Sequence, residues 1–448
     1  MAARSSLYTS ILAAPPAACV SVPFHSPSDE ATNNGSGNSG SRAGGGGGGE
    51  DEVRDGGGGG SGGSLLVTGT YTLDKETQLR TGSLVLHEVE MDGKLDGIGL
   101  RDIETVALAS GSVLDIRLLK TSATRSFPSG RNLLVATSTG QILTYSISST
   151  SLTLLSTHQI TDSTILILSL AVSPDEKFVS ATTSDSKIII LRIVKSGGSS
   201  AGFELKQVAE VENAHNGLEA WTSVFSADGG RLYSGGDDGS FAVWDLTSLY
   251  NTDTDTQNAE EEEGKEEEEK VIEQTYRNRK IHSAGVTSIL PITILQKEYI
   301  ITGSYDQLIR IFCASTNRRL DTTIDLDGGV WRLELLPSSS SFNTMDHCLS
   351  QEKEEEEEEE EEKSSDENST TTRLYILASC MHAGCCVLGV QFKVAEEEDG
   401  EAAVVLTPVG RMKEHESMNY ASAWVGGDRP VVVSTSFYDR RVCCWSVV

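Results

Sequence analysis

No stretch of this 448-residue chain reaches 18 consecutive apolar residues, so no transmembrane helix is expected. Cysteine is scarce: eight residues (19, 313, 348, 380, 385, 386, 443 and 444), with neither C-x-x-C zinc spacing nor the even pattern of a disulfide framework. The pairs Cys385–Cys386 and Cys443–Cys444 lie inside apolar, strand-like runs, where small core residues belong. That usage fits a reducing compartment, and a cytoplasmic location is expected. Outside the Gly/Ser-rich stretches 28–64 and 196–202 there is no G-x-S-x-G elbow or Rossmann glycine pattern, and nowhere a P-loop or an H-E-x-x-H. The glycine runs 44–49 and 56–60 lack the Lys-Ser/Thr of a phosphate cradle and read as linkers. Positive charge is also short. Lys and Arg number 36 against 66 acids, for a net charge of −30. Nucleic acid and anionic membrane are therefore not expected as partners.

The acidity has an address. Residues 251–270 carry −8, residues 351–367 carry −10 and residues 396–401 carry −5, together −23 of the −30. The rest of the chain is only mildly acidic. Like-charge blocks of this kind read as solvated, disordered loops, with docking of a basic partner as the sharper alternative. The first 27 residues hold Arg4, no acid before Asp29 and many Ala and Ser, superficially a transit-peptide composition.

What the chain does contain is a repeat. Ser234-Gly-Gly-Asp-Asp238-Gly-Ser-Phe-Ala-Val-Trp244, Thr302-Gly-Ser-Tyr-Asp306-Gln-Leu-Ile-Arg-Ile-Phe312 and Thr435-Ser-Phe-Tyr-Asp439-Arg-Arg-Val-Cys-Cys-Trp445 each place a Ser or Thr four residues before an Asp and an aromatic six after it. His215, His282 and His415 precede those Asp residues by 23, 24 and 24 positions. The three segments resemble the WD40 repeat, in which such a His, Ser/Thr, Asp and Trp form a buried hydrogen-bonded set. The Asp accepts a charge-assisted bond from the imidazole, which in turn can reach the hydroxyl and the indole N–H.

With that frame, seven third strands are predicted at 82–89, 140–147, 186–193, 239–246, 307–314, 384–391 and 440–447, β-branched runs bounded by Gly, Asp and Ser. The expected fold is all-β, a seven-bladed WD40 β-propeller spanning 1–448 as one domain, with disordered Gly-rich and Glu-rich inserts. Blades 2 to 7 are expected at about 113–160, 165–212, 219–280, 285–325, 328–412 and 419–448. The last blade then lacks its outermost strand. Residues 6–12 (SLYTSIL) could supply it, with 18–24 (ACVSVPF) opening blade 1. Residues 1–27 are thus read as ring-closing strands in preference to a targeting segment. Residues 28–64 are read as a flexible Gly-rich insert, and 251–270 and 351–370 as disordered acidic loops.

A propeller alone favours an interaction platform over an enzyme. More specific segments shift that balance: Val113-Leu-Asp-Ile116, Ala214-His-Asn-Gly-Leu-Glu-Ala-Trp221, Ser234-Gly-Gly-Asp-Asp-Gly239, His282-Ser-Ala-Gly-Val-Thr-Ser-Ile289, Thr302-Gly-Ser-Tyr-Asp306, Gly328-Gly-Val-Trp-Arg-Leu333, Ala378-Ser-Cys-Met-His382, Glu414-His-Glu-Ser-Met-Asn-Tyr-Ala421 and Ser436-Phe-Tyr-Asp439. In this order and spacing they resemble the diphthine methyltransferase family of WD40 proteins, whose members act as diphthine methylester hydrolases. The resemblance runs from about residue 65 to the C-terminus, broken by the acidic inserts. It implies removal of a methyl ester from the modified histidine of translation elongation factor two, a step of diphthamide synthesis. It implies no metal or organic cofactor, and a monomer is expected. Phe312 and Cys313, in place of Trp-Asp, and Glu334-Leu335 after the Val-Trp-Arg segment depart from the expected pattern.

Such a substrate sets a methyl ester beside a quaternary ammonium, which cannot donate hydrogen bonds and is held best by aromatic faces. Tyr305 and Tyr438 precede turn aspartates and are expected on the top face; Trp221 and Trp331 start first strands beside the channel. These four are the candidate cage, the alternative being that the tryptophans pack between blades. The imidazoles of His215, His282 and His415 are reserved by the repeat, whereas His382 stands at the turn-Asp position of a degenerate blade. His382 is the candidate general base, with Asp237 and Glu219 near the same rim. Arg332 is the candidate oxyanion or partner-carboxylate ligand, or else half of an ion pair. Cys380 is read as a core thiol before a nucleophile. Two other readings stay open: a non-catalytic WD40 scaffold or adaptor for protein–protein interaction, and an adaptor for a ubiquitin ligase.

Overall fold

The short β-branched runs do form strands, four to a sheet. A computed structural model describes residues 3–4, 8–12, 16–22, 64–91, 98–119, 131–195, 203–250, 270–337, 369–395, 402–425 and 431–447. Blade 1 is built from Pro16–Val22, Ser64–Thr70, Ser83–Met91 and Ile98–Ala107. Blade 2 comprises Val113–Leu118, Arg131–Thr137, Gln141–Ile147 and Leu152–Gln159, and blade 3 Ile167–Val172, Phe178–Thr183, Ile188–Lys195 and Phe203–Val211. Blade 4 has Thr222–Phe225, Arg231–Gly235, Phe241–Asp245 and Glu273–Asn278; blade 5 has Val286–Ile294, Lys297–Ser304, Leu308–Cys313 and Arg318–Asp325. Blade 6 runs Arg332–Leu335, Ser369–Ser379, Cys385–Ala395 and Ala403–Met412. Blade 7 takes Ala421–Trp424, Val431–Thr435 and Arg441–Ser446 from the C-terminal end.

Its fourth strand is Tyr8–Ile11, antiparallel to Arg441–Cys444. The chain then enters blade 1, so an early strand and the last strand of the described chain meet in one sheet. Ala3–Arg4 adds a parallel edge to blade 6 beside Arg411 and Met412. The fold is an all-β, seven-bladed propeller, and each of the seven expected third strands is present. Of the Gly-rich stretch 28–64 and the acidic segments 251–270 and 351–370, only Ser64, Lys270, Ser369 and Thr370 belong to the described residues; the expectation of disorder falls on the others and lies outside them.

The core is not at the centre. Buried apolar side chains fall into seven clusters, and each joins two adjacent blades. The cluster between blades 7 and 1 combines Leu66 and Val89 with Val433, Val442 and Cys444, and includes Leu12 from just beyond the ring-closing strand. Both faces of most strands are therefore covered, which is why they read as near-continuous apolar runs and not as simple alternation. First strands of neighbouring blades lie against one another all the way round, lining the axis.

The repeat histidines tie turns to the strands beneath them, each in its own way. In blade 4, His215 Nδ1 meets Asp238 Oδ1 at 2.9 Å and Nε2 meets Ser234 Oγ at 3.0 Å, while Trp244 Nε1–H donates to the same hydroxyl at 2.8 Å. A carboxylate can only accept, so Nδ1 carries the proton. Blade 5 departs from the expected direct His–Asp bond. Arg310 stands between them, its Nη1 at 3.1 Å from His282 Nδ1 and 2.9 Å from Asp306 Oδ1. Because an arginine only donates, the proton here moves to Nε2, which faces Thr302 Oγ1 at 3.3 Å. Phe312 replaces the indole and offers no N–H. In blade 7 the expected hydroxyl, Thr435, is not the partner. Ser434 is, at 2.9 Å from His415 Nε2, because the turn there holds one residue more and Ser434 pairs with Cys443.

Two outcomes follow from this construction. Deleting residues 2–15 should lower the melting temperature by more than about 5 °C; an unchanged melt would mean that blade 7 stands without its N-terminal strand. Burial, with Arg310 beside His282, pushes the imidazoles of His282 and His415 down to about 4. The unfolded chain binds those protons below about pH 6.5. Stability is thus fully present above that pH and is lost as pH falls toward 4. Urea unfolding of His282→Asn/His415→Asn should show a shallower slope across that window, and an unaltered slope would assign the acid sensitivity to other groups.

Candidate active site

The residue immediately before a first strand emerges at the top mouth of the channel. In blades 4, 6 and 7 that residue is aromatic: Trp221, Trp331 and Tyr420. Blade 5 has Gly285 there instead, and the space is taken by neighbours. A Cβ on Gly285 would come within 2.9 Å of Asp237 Oδ1 and 3.1 Å of Tyr305 Cδ2. Gly329 does likewise in the next blade, where a Cβ would meet Met381 Sδ at 2.8 Å and Tyr305 Cδ1 at 3.4 Å. These glycines let Tyr305 lean inward from the turn of blade 5.

Tyr305, Trp221 and Trp331 consequently form a closed triangle, with ring centroids 6.0, 5.4 and 5.9 Å apart. Tilted and edge-on contacts of this kind are the favoured aromatic geometry. Trp221 Nε1–H donates to Asp237 Oδ1 at 3.0 Å, and the Asp237 backbone N–H donates to the Glu219 carbonyl at 2.9 Å. The Tyr305 hydroxyl is held well above its ordinary range by burial first, then by Tyr420, Asp237 and Glu219. Five of the sequence candidates, Trp221, Trp331, Tyr305, Asp237 and Glu219, thus share one neighbourhood.

The others stand apart. Tyr438 is 71% exposed and joins the triangle only through Phe437, Tyr420 and Trp331, by centroid steps of 5.0, 5.4 and 5.1 Å. His382 lies in the turn after Ser369–Ser379, exposed, and among the described residues it makes no hydrogen bond or ion pair with Asp237 or Glu219. Cys380 is buried, its thiol pushed far up by burial, as suits a core residue and not a nucleophile. Tyr420, Phe437 and Tyr71, which touches Phe437 at 6.0 Å, extend the aromatic run and were not among the sequence candidates. The signal for Tyr420 was its register, one residue before a first strand, as for both tryptophans.

Below the tryptophans opens a cavity of about 560 Å³, lined by Trp221, Trp331, Arg117, Arg332, Glu334 and Cys19 among others. Arg332 is not on the outer rim. Its Nη1 lies 2.9 Å from Asp115 Oδ1, an ion pair joining the first strands of blades 6 and 2, which are not neighbours in the ring. Asp115 is wholly buried and also accepts from the backbone N–H of Ile116 (2.8 Å) and Leu170 (2.9 Å) and from Arg117 Nε (3.2 Å). Burial alone would raise its carboxyl; the two guanidiniums and the backbone donors outweigh that and hold it below the usual range. Glu334, the neighbour of both arginines, is pushed up to about 7 by burial against their opposing pull.

Fold and site together define the class: a seven-bladed β-propeller with an aromatic, acid-flanked mouth over a charged channel. The WD domain, G-beta repeat family matches residues 207–245, the fourth strand of blade 3 and most of blade 4. Over longer spans the chain is similar to the diphthine methyltransferase of Schizosaccharomyces pombe, 26% identical across 85% of this chain and 90% of that protein. It is likewise similar to the diphthine methyltransferase homolog of Dictyostelium discoideum (28%, covering 61% and 72%) and the diphthine methyltransferase of Saccharomyces cerevisiae (25%, covering 86% and 93%). No helix among the described residues is long and apolar enough to cross a membrane.

The pair across the channel makes a direct prediction. Arg332→Met strands part of a buried carboxylate and should cost about 2 kcal/mol or more. Asp115→Asn/Arg332→Met should cost less than the two single changes summed, read from chemical denaturation. Simple additivity would show that the two charges do not support each other.

Proposed function

We propose that this chain is a carboxylic-ester hydrolase that removes the methyl ester from methylated diphthine on translation elongation factor two, a step of diphthamide synthesis. The observation that carries the reading is the triangle of Trp221, Trp331 and Tyr305 over a cavity, with Asp237 and Glu219 beside it. A trimethylammonium group has no hydrogen to donate, and each aromatic face contributes about 0.5–2 kcal/mol to holding it. Nearby carboxylates supply the counter-charge without having to meet a donor. The three relatives that carry the name diphthine methyltransferase support the choice of substrate. The family resemblance in the Gly-Gly-Val-Trp-Arg and Glu-His-Glu-Ser-Met-Asn-Tyr-Ala segments supports hydrolysis of the ester over its formation. His382, open to solvent and without a hydrogen-bond partner among the described residues to fix its tautomer, is given no role in that chemistry.

One observation favours a non-catalytic adaptor as the second reading. The aromatic run continues past the triangle through Tyr420 and Phe437 to Tyr71, broader than a single side chain needs.

The deciding experiment is mass spectrometry of elongation factor two bearing methylated diphthine, incubated with the purified chain alone. Loss of about one CH₂ at the modified histidine, with methanol released, is the expected result. No loss with well-folded protein leaves the adaptor reading, and mass gained only when a methyl donor is added would make the chain a transferase. Tyr305→Ala/Trp331→Ala should raise KM at least tenfold, about 1.4 kcal/mol, with the fold retained; an unchanged KM would remove the cage.

A further inference from the structure

Glu334 is a cavity-lining carboxylate that the fold leaves without a bonding partner among the described residues. Asp115, on the far wall, takes two arginines and two backbone donors. Glu334 has no hydrogen bond and no ion pair within reach there, although Arg117 and Arg332 both act on it electrostatically. Its side chain is open to the water of the cavity yet surrounded by the ring. With no donor of the fold bonded to it among the described residues, this carboxylate is free to meet a water or a substrate group in the cavity. The same cavity is lined by the two tryptophans of the aromatic triangle. Trp331 sits just ahead of the strand that carries Arg332 and Glu334, so Glu334 stands about 10 Å below the mouth at the ordinary rise per residue.

Resting on the hydrolase reading, we propose that the ester is cleaved inside this cavity, with the Glu334 carboxylate taking the proton of the attacking water and the Arg332 guanidinium facing the developing oxyanion. The bound ammonium lies against the tryptophans, and the ester attached next to it extends inward. As the water oxygen bonds to the ester carbon, one water proton passes to Glu334 and the carbonyl electron pair moves to oxygen. When the tetrahedral intermediate collapses, that pair re-forms the carbonyl and the bond to the methoxy oxygen breaks. Glu334 returns its proton to that oxygen. Methanol and a carboxylic acid leave, the acid losing its proton to solvent, and the glutamate is again ionised. Asp115 is a positioning residue: it fixes Arg332 without touching the substrate.

The charged and titratable groups around Glu334 are Arg332 on its own strand, Arg117 and Asp115 from blade 2, Cys19 from blade 1 and Cys385 from the third strand of blade 6. Both thiols are pushed up by burial, Cys19 to about 12, and stay neutral. A carboxylate raised to about 7 by the surrounding ring, against the pull of two cations, is matched to proton transfer at physiological pH.

The test uses the full chain and the methylated elongation factor. Glu334→Gln should lower kcat by about 10²–10⁴-fold, with KM within twofold and the melting temperature maintained. Glu334→Asp should keep part of the rate with the acid limb of its pH profile displaced. Separately, without substrate, carbon NMR of the Glu334 carboxyl should titrate with a midpoint near 7. A Glu334→Gln enzyme within threefold of the parent rate, or a midpoint in the ordinary glutamate range, overturns the proposal and leaves the hydrolase reading standing. If the parent chain releases no methanol, the hydrolase reading fails and the assignment of Glu334 falls with it, whatever the NMR midpoint.

Discussion

Each blade of this protein can bury its apolar faces only against the next blade. Among the described residues there is no central core to fall back on: seven clusters sit in seven seams, and one of them joins the last blade to the first. A ring missing one seam would leave two apolar sheet faces in water, each worth several buried side chains of about 1.5–3 kcal/mol apiece. Closure is therefore a requirement of the packing itself. It also fixes where the seven first strands go, since the blades can meet all round only with those strands on the axis.

That arrangement frees the axis for polar chemistry. The first strands are supported by their own blades and by their neighbours, so polar side chains can stand among the apolar ones that line the cavity. Serine and threonine occupy many of those places, with two arginines and two carboxylates placed on blades 2 and 6. The ion pair of Arg332 with Asp115 is consequently a contact between distant segments of the sequence, made possible only because the ring brings them face to face. Above it, the residues just ahead of the first strands of blades 4, 6 and 7 stand at the mouth, and all three are aromatic. A rim that holds a cation and a floor that carries charge come from the same strand register.

Much of the fold was legible because it is local. Third strands such as 141–147 and 441–446 announce themselves by β-branched runs between turn residues. His215, Ser234, Asp238 and Trp244 lie within one blade, and their spacing was enough to foresee their bonds. Where a turn gains a residue, as before Cys443, counting back from the Asp gave Thr435 in place of Ser434. Counting could not foresee Arg310 entering the blade 5 network, since its side chain reaches back across the turn. The candidate site was only partly legible. Trp221, Trp331 and Tyr305 meet, but Tyr438 points into solvent, and Glu334, which looked like a mere departure from pattern, lines the cavity. What the sequence hid were contacts between blades 2 and 6, where separation along the chain says nothing of distance.

The strand that completes blade 7 has a kinetic meaning as well. Tyr8–Ile11 leaves the ribosome long before its partner Arg441–Cys444, with six blades made in between. During synthesis the early strand has no native place to go, and its sheet edge must wait unpaired while the intervening blades assemble. Contacts of such long sequence separation form late and slowly. The nascent propeller is then an open arc with two sticky ends. That makes it a natural client for chaperones until Arg441–Cys444 emerges to be gripped.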